Sequence, residues 1–126
     1  MSENASPAFA VLNLRFKLQV PADVLLGNSR KAASAIASVD GLIWKIWLVQ
    51  EQGDAIGGVY LFASRKAAVA YLNHPMIQAL YSNPAVMSSD SQIWDVENSL
   101  SAITRAPLPE IHQQMQEPEA VMAGGR

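Results

Sequence analysis

The chain has 126 residues, half of them hydrophobic and 16% charged. That suits one domain with its own core and excludes wholesale disorder. Nine Lys and Arg against eleven Asp and Glu leave a formal net charge of −2, so no basic excess exists to grip a phosphate backbone and nucleic acid is not an expected partner.

Cysteine is absent, which removes disulfides, thiolate metal sites and Cys nucleophiles together. The two histidines, His74 and His112, show no His-x-x-x-His or Glu-x-x-His spacing, so a metal centre is disfavoured. No apolar run approaches the roughly 20 residues that span a bilayer. The stretch Met1–Pro7 is polar and lacks a basic segment. The expectation is a cytoplasmic protein with no membrane contact.

Residues 1–8 read as a flexible N-terminus. Phe9 to Leu18 alternates: Ala10, Leu12, Leu14, Phe16 and Leu18 form one apolar face, and Phe9, Val11, Asn13, Arg15 and Lys17 the other. This is a strand of period two. Pro21 suits the first position of a helix that carries Leu25, Ala32, Ile36 and Ala37 at helical spacing and ends at Asp40-Gly41. Gly41 supplies a left-handed exit.

Leu42–Gln50 and Ala55–Ala63 are the next two strands. Gln52-Gly53-Asp54-Ala55 reads as a two-residue hairpin turn. That register sets Trp47 opposite Tyr60, Lys45 opposite Phe62 and Val49 opposite Gly58, with Ile46, Leu48, Val59 and Leu61 on the other, aliphatic face. Ser64 caps a helix from Arg65 to about Asn73. His74-Pro75 interrupts it, a helical turn resumes over Pro75–Tyr81, and Val86–Glu97 is a fourth strand.

The order β-α-β-β-α-β over residues 9–105 predicts a ferredoxin-like α+β domain: a four-stranded antiparallel sheet with helices on one face. Residues 106–126 read as a flexible C-terminal tail with one short helix around Glu110 to Gln116. One sheet face is left without helices. It carries either the aromatic or the aliphatic set, and neither belongs in water. A second copy packed face to face is the expected cover, so the chain is expected to be a homodimer. A cavity between sheet and helices, or at the dimer seam, suits a flat ligand.

Gly41-Leu-Ile-Trp-Lys-Ile-Trp47, Gly57-Gly-Val-Tyr-Leu-Phe62 and Ala70-Tyr-Leu72 resemble the motifs of the YdhR-type mono-oxygenase family, a member of the dimeric α+β barrel group. Leu12-Asn-Leu-Arg-Phe16 resembles that family's opening strand. The resemblance covers roughly residues 9–100. It implies the dimeric barrel fold, and relatives that include cofactor-free quinol and anthrone mono-oxygenases, haem-degrading enzymes and muconolactone-isomerase-like proteins.

Several residues invite chemistry. His74, the one histidine of the folded region, is a candidate general base, or a helix-terminal histidine facing water. Asn13 and Arg15 share a strand face and could hold a phenolate or enolate oxygen, or sit at the dimer edge with Arg15 paired to a carboxylate. Trp44 and Trp47 could line a cavity, although they point to opposite sheet faces, or serve as packing. Tyr60 and Tyr71 could donate hydrogen bonds to a carbonyl, or bury their rings. Lys45 reads as a solvated strand lysine or a cross-dimer partner.

The leading expectation is a cofactor-independent mono-oxygenase taking molecular oxygen and a small aromatic, quinol-like or polyketide-like substrate. His74 and Arg15 would be catalytic, and Asn13, Trp44, Trp47, Tyr60 and Tyr71 would bind substrate, with no cofactor. An isomerase, lyase or cyclase working without oxygen, and a non-enzymatic dimer that binds a hydrophobic small molecule, are the alternatives.

Overall fold

A computed structural model of the chain describes residues 7–109. The elements are β1 (Ala10–Leu18), α1 (Ala22–Leu26), α2 (Ser29–Ala37), β2 (Leu42–Val49), β3 (Ala55–Phe62), α3 (Arg65–Leu72), α4 (Pro75–Tyr81), β4 (Val86–Asp95) and α5 (Asn98–Ile103). The strands form one antiparallel sheet in the order β2-β3-β1-β4. With helices on one face, this is the ferredoxin-like arrangement.

The alternation in β1 decides the layering. Ala10, Leu12, Leu14, Phe16 and Leu18 are buried under the helices, while Arg15 and Lys17 are exposed on the other face. Burying a residue such as Leu or Phe contributes roughly 1.5–3 kcal/mol, and a one-residue slip would turn the whole set toward water. The helices complete the core with Ile36 from α2, Ala68 and Tyr71 from α3, and Ile77 from α4.

Local chemistry sets the boundaries. The Ser64 side chain accepts from the Ala67 N–H at 3.1 Å and starts α3. Pro75 opens α4, where its missing N–H is harmless. Gly41 has φ +81°, and a Cβ there would lie 2.5 Å from the Cβ of Ala67. The exit from α2 therefore needs glycine for both conformation and space.

Four expectations change. The first helix is broken at Gly27-Asn28 into α1 and α2. Both are poor helix formers, and the chain turns there through Asn28 N–H to the Leu25 carbonyl at 3.2 Å. The β2–β3 loop is longer than a two-residue turn. Gln50 donates to the Ala55 carbonyl and Gly53 (φ +76°) donates to the Gln50 carbonyl, leaving four residues in the loop. Pairing is thereby displaced by two residues, to Lys45–Tyr60, Trp47–Gly58 and Val49–Ile56. A shift of two keeps every side chain on its face. β4 ends at Asp95, and a short helix, α5, follows, with the Glu97 side chain capping it at the Leu100 N–H.

The first part of the expected tail lies against the sheet. Trp44 Nε1 donates to the Pro107 carbonyl at 2.8 Å. Leu108 packs against the buried pair Phe9 and Leu61, as do Ile43 and Val96. The helix expected around Glu110–Gln116 and His112 lie outside the described residues.

Substituting Gly41→Ala should cost about 2–4 kcal/mol, the sum of left-handed strain and overpacking against Ala67. The check is a lower urea midpoint with an unchanged slope.

Candidate active site

The period-two pattern that builds the core also sorts the aromatic residues. Trp47, Tyr60 and Phe62 face the helices, whereas Ile46, Leu48, Val59 and Leu61 lie on the helix-free face. The helix-side aromatics form a cluster. Tyr60 stacks on Phe62 with centroids 6.0 Å apart, and Tyr71 from α3 tilts against both, at 5.0 Å from Tyr60 and 5.6 Å from Phe62. The hydroxyls of Tyr60 and Tyr71 are 3.3 Å apart.

Beside this cluster is a cavity of about 270 Å³, lined by Lys45, Trp47, Ile56, Tyr60 and Tyr71 and by residues of α1, α2 and α4. That is just below the usual range of small-molecule sites, roughly 300–1,000 Å³. The walls are mostly apolar; the polar groups are the ammonium of Lys45, the two phenols, the Ser29 hydroxyl and the Asn83 amide, and Lys45 carries the one charge. Lys45 Nζ sits 3.4 Å from the centroid of the Trp47 ring and 4.7 Å from that of Tyr60, so two π faces stabilise its charge.

Burial nevertheless lowers the Lys45 pKa to about 8. Burial raises both tyrosine pKa values, and the Tyr71 hydroxyl adds to the rise at Tyr60. Both phenols are therefore protonated at neutral pH. Within the pair one hydroxyl donates to the other, so one O–H remains to donate into the cavity.

Gly58 leaves the room for this arrangement. A Cβ at position 58 would lie 2.7 Å from Lys45 Cε and 3.0 Å from Tyr60 Cε1. The lysine stem therefore lies across the bare glycine that pairs with Trp47.

Of the residues singled out in the sequence, the fold brings Trp47, Tyr60 and Tyr71 together. His74 lines a neighbouring depression with Val39, Asp40 and Ala67, and Tyr71 and Met76 border both hollows. Its Nδ1 accepts from the Met76 N–H at 3.0 Å as the N-cap of α4. In the neutral ring the proton then sits on Nε2. His74 starts a helix rather than ending one, because Pro75 takes the first helical position.

Asn13, Arg15 and Trp44 lie on the helix-free face. Arg15 pairs with Asp90 at 3.3 Å, both largely exposed, and Asn13 pairs in register with Gln92. Lys45 was not among the expected site residues. Its signal was its parity with Trp47, two residues on. Among the described residues no cluster of three His, Asp or Glu side chains could hold a metal ion, and no helix is long and apolar enough to cross a membrane.

Residues 11–107 match the family described as "Putative mono-oxygenase ydhR". No curated protein matches the sequence. Solved structures share the fold. NE2512, a protein of unknown function from Nitrosomonas europaea, is 18% identical with a TM-score of 0.60, covering 74% of this chain and 93% of that one. SnoaB, a cofactor-independent oxygenase from Streptomyces nogalater, is 14% identical with a TM-score of 0.57, covering 74% and 97%. A dabb family protein with a ferredoxin-like fold from Mesorhizobium loti is 18% identical with a TM-score of 0.52, covering 69% and 95%.

The depressed Lys45 pKa penalises the folded state below about pH 8. The penalty fades as pH rises from there toward the ordinary lysine value of 10.5. Replacing Lys45→Met should therefore stabilise the protein at pH 7 by about 1–2 kcal/mol, after discounting for the partial exposure of the ammonium. The gain should vanish near the unfolded lysine pKa, as read by denaturant unfolding at several pH values.

Proposed function

The chain belongs to the ydhR mono-oxygenase family, and from that premise we propose that it oxidises a small aromatic phenol, quinol or anthrone-like compound with molecular oxygen in the helix–sheet cavity. The observation that carries the reading is the composition of that cavity: apolar walls with Trp47 as a flat face and a protonated Tyr60–Tyr71 pair beside Lys45. SnoaB, named as a cofactor-independent oxygenase on the same fold, supports chemistry in which the substrate supplies the electrons. The volume of about 270 Å³ favours a compact system of one to three fused rings over an extended polyketide.

In this reading the substrate stacks on Trp47, and its oxygen accepts the spare hydroxyl proton of the tyrosine pair. Loss of a substrate proton gives an electron-rich anion. The anion passes one electron to oxygen, and the two radicals join through a C–O bond to give a peroxide anion, which takes back the proton lost by the substrate and becomes a hydroperoxide. Loss of water then leaves a carbonyl. Overall a CH₂ group and O₂ become C=O and H₂O. The protein contributes orientation, a donor to the developing oxyanion and exclusion of bulk water. His74, at the border of the neighbouring depression, would act through its Nε2–H as a donor.

A second copy completes the molecule in this proposal. Ile46, Leu48 and Trp94 on the helix-free face are half exposed, and such a patch is unusual on a monomer. Packed sheet to sheet, Asn13, Arg15 and Trp44 would belong to the seam rather than to the cavity.

Two outcomes are expected. Oxygen uptake with a panel of quinols, naphthols and anthrones should exceed the spontaneous rate. Tyr60→Phe should lower kcat by about 10–100-fold through the lost donor, and His74→Ala by less. Uptake at the spontaneous rate for every compound would remove the oxygenase reading. In light scattering the wild type should have twice the 13.6 kDa chain mass. Ile46→Asp should shift it to the single-chain value, since burying an unpaired carboxylate at the seam is costly.

A further inference from the structure

We propose that Lys45 is the proton acceptor of the cavity, so that the site takes its ligand as an oxyanion and selects acidic phenols and enols over neutral aromatics. The inference deepens the reading above by naming the ionisation state of the ligand, and rests on that reading only for the class of compound.

Three observations converge. Lys45 is the one amine that lines the cavity. Among the described residues the ion pairs are Arg15–Asp90 and Arg65–Asp95, and Lys45 is in neither. An ammonium group in an apolar wall without a counter-ion is an anion site by chemistry, because the ligand's charge is the missing partner. Gly58 holds open the space that the lysine stem crosses, so its position between the Trp47 and Tyr60 rings depends on a residue with no side chain.

The groups facing it are otherwise unable to take a proton. Tyr60 from β3 and Tyr71 from α3 are phenols that burial keeps protonated. The residues of α1, α2 and α4 that line the cavity carry no ionisable group, with Ser29 their only hydroxyl. Trp47 and Ile56 complete the sheet side, and neither titrates. A free-amine fraction is also present near neutral pH, since burial brings the lysine close to that range.

The step balances simply. The ligand O–H breaks, its electron pair stays on oxygen, and the proton becomes the third N–H bond of the free-amine form of Nζ, or passes to solvent where Nζ is already an ammonium. The product is an ammonium–oxyanion pair in which the oxygen also accepts from the tyrosine hydroxyl. Neutral aromatics of the same shape gain only the stacking on Trp47.

The test uses para-nitrophenol, which is yellow only as its anion, and its neutral analogue nitrobenzene. Both are titrated into the full-length protein about one pH unit below the solution pKa of the dye. Wild-type protein should bind the dye as the yellow anion, at least about tenfold more tightly than nitrobenzene. Lys45→Met should lose that preference, and any bound dye should be colourless. Gly58→Ala, which displaces the lysine stem without removing its charge, should fall between them, with circular dichroism verifying the fold of both variants.

Colourless dye bound to the wild type, no dye bound at all, or equally yellow binding to Lys45→Met would each overturn the assignment. Oxygen plays no part in the readout. Yellow binding without oxygen uptake would therefore sink the oxygenase reading alone, and colourless binding with intact uptake would sink the role of Lys45 alone.

Discussion

The three-ring contact of Tyr60, Phe62 and Tyr71 holds the helical layer to the sheet. Two of the rings come from β3 and one from α3, with each residue almost wholly excluded from solvent. Because α3 is fixed by this contact, the turn that follows it and the start of α4 are fixed too. α4 in turn supplies Met76, Ile77, Ala79 and Leu80 to the cavity wall. The same contact pairs the two hydroxyls, which would be costly to bury singly. Packing and polarity are thus solved by one cluster, and the cavity is the space that cluster leaves beside it.

Such an arrangement works against stability at one point. A lysine placed among rings and aliphatic chains loses hydration that two π faces return only in part. Sequences that need only to fold avoid this. Proteins keep such groups where a charge or an exchangeable proton is used. The bare backbone at Gly58 belongs to the same design, since a side chain there would push the amine out of the site at little cost to the sheet.

Much of this could be read from the residues alone, and the reasons differ between elements. The strands were visible because their apolar residues recur every second position and their faces differ in kind, as in β1 and β2. The caps at Ser64 and Gly41 were visible because few residues do those jobs. The break at Gly27-Asn28 was hidden because the helical spacing of apolar residues continues across it. The β2–β3 register was off by two because Gly53 suits either a two-residue or a four-residue loop, and the side-chain pattern is the same for both.

Trp47, Tyr60 and Tyr71 stand out in the sequence as large aromatics, and the fold brings them to one cavity. Lys45 does not stand out in the sequence because a lysine in a strand is ordinarily solvated, and only packing against the helix-covered face shows otherwise. Arg15 and Asn13 stand out by residue type, while the alternation in β1 already sets them on the face opposite the apolar residues that the helices cover.

The contact between Trp44 and Pro107 bears on where this domain stops. Counting strands alone would end it at Asp95, where β4 finishes. Yet the indole N–H of Trp44 has its acceptor in the chain twelve residues further on, and Leu108 seals the apolar corner over Phe9 and Leu61. A fragment trimmed to the four strands would open that corner and orphan the indole donor. A unit for expression or grafting therefore has to reach at least Leu108, with the segment after α5 serving as the hem of the sheet.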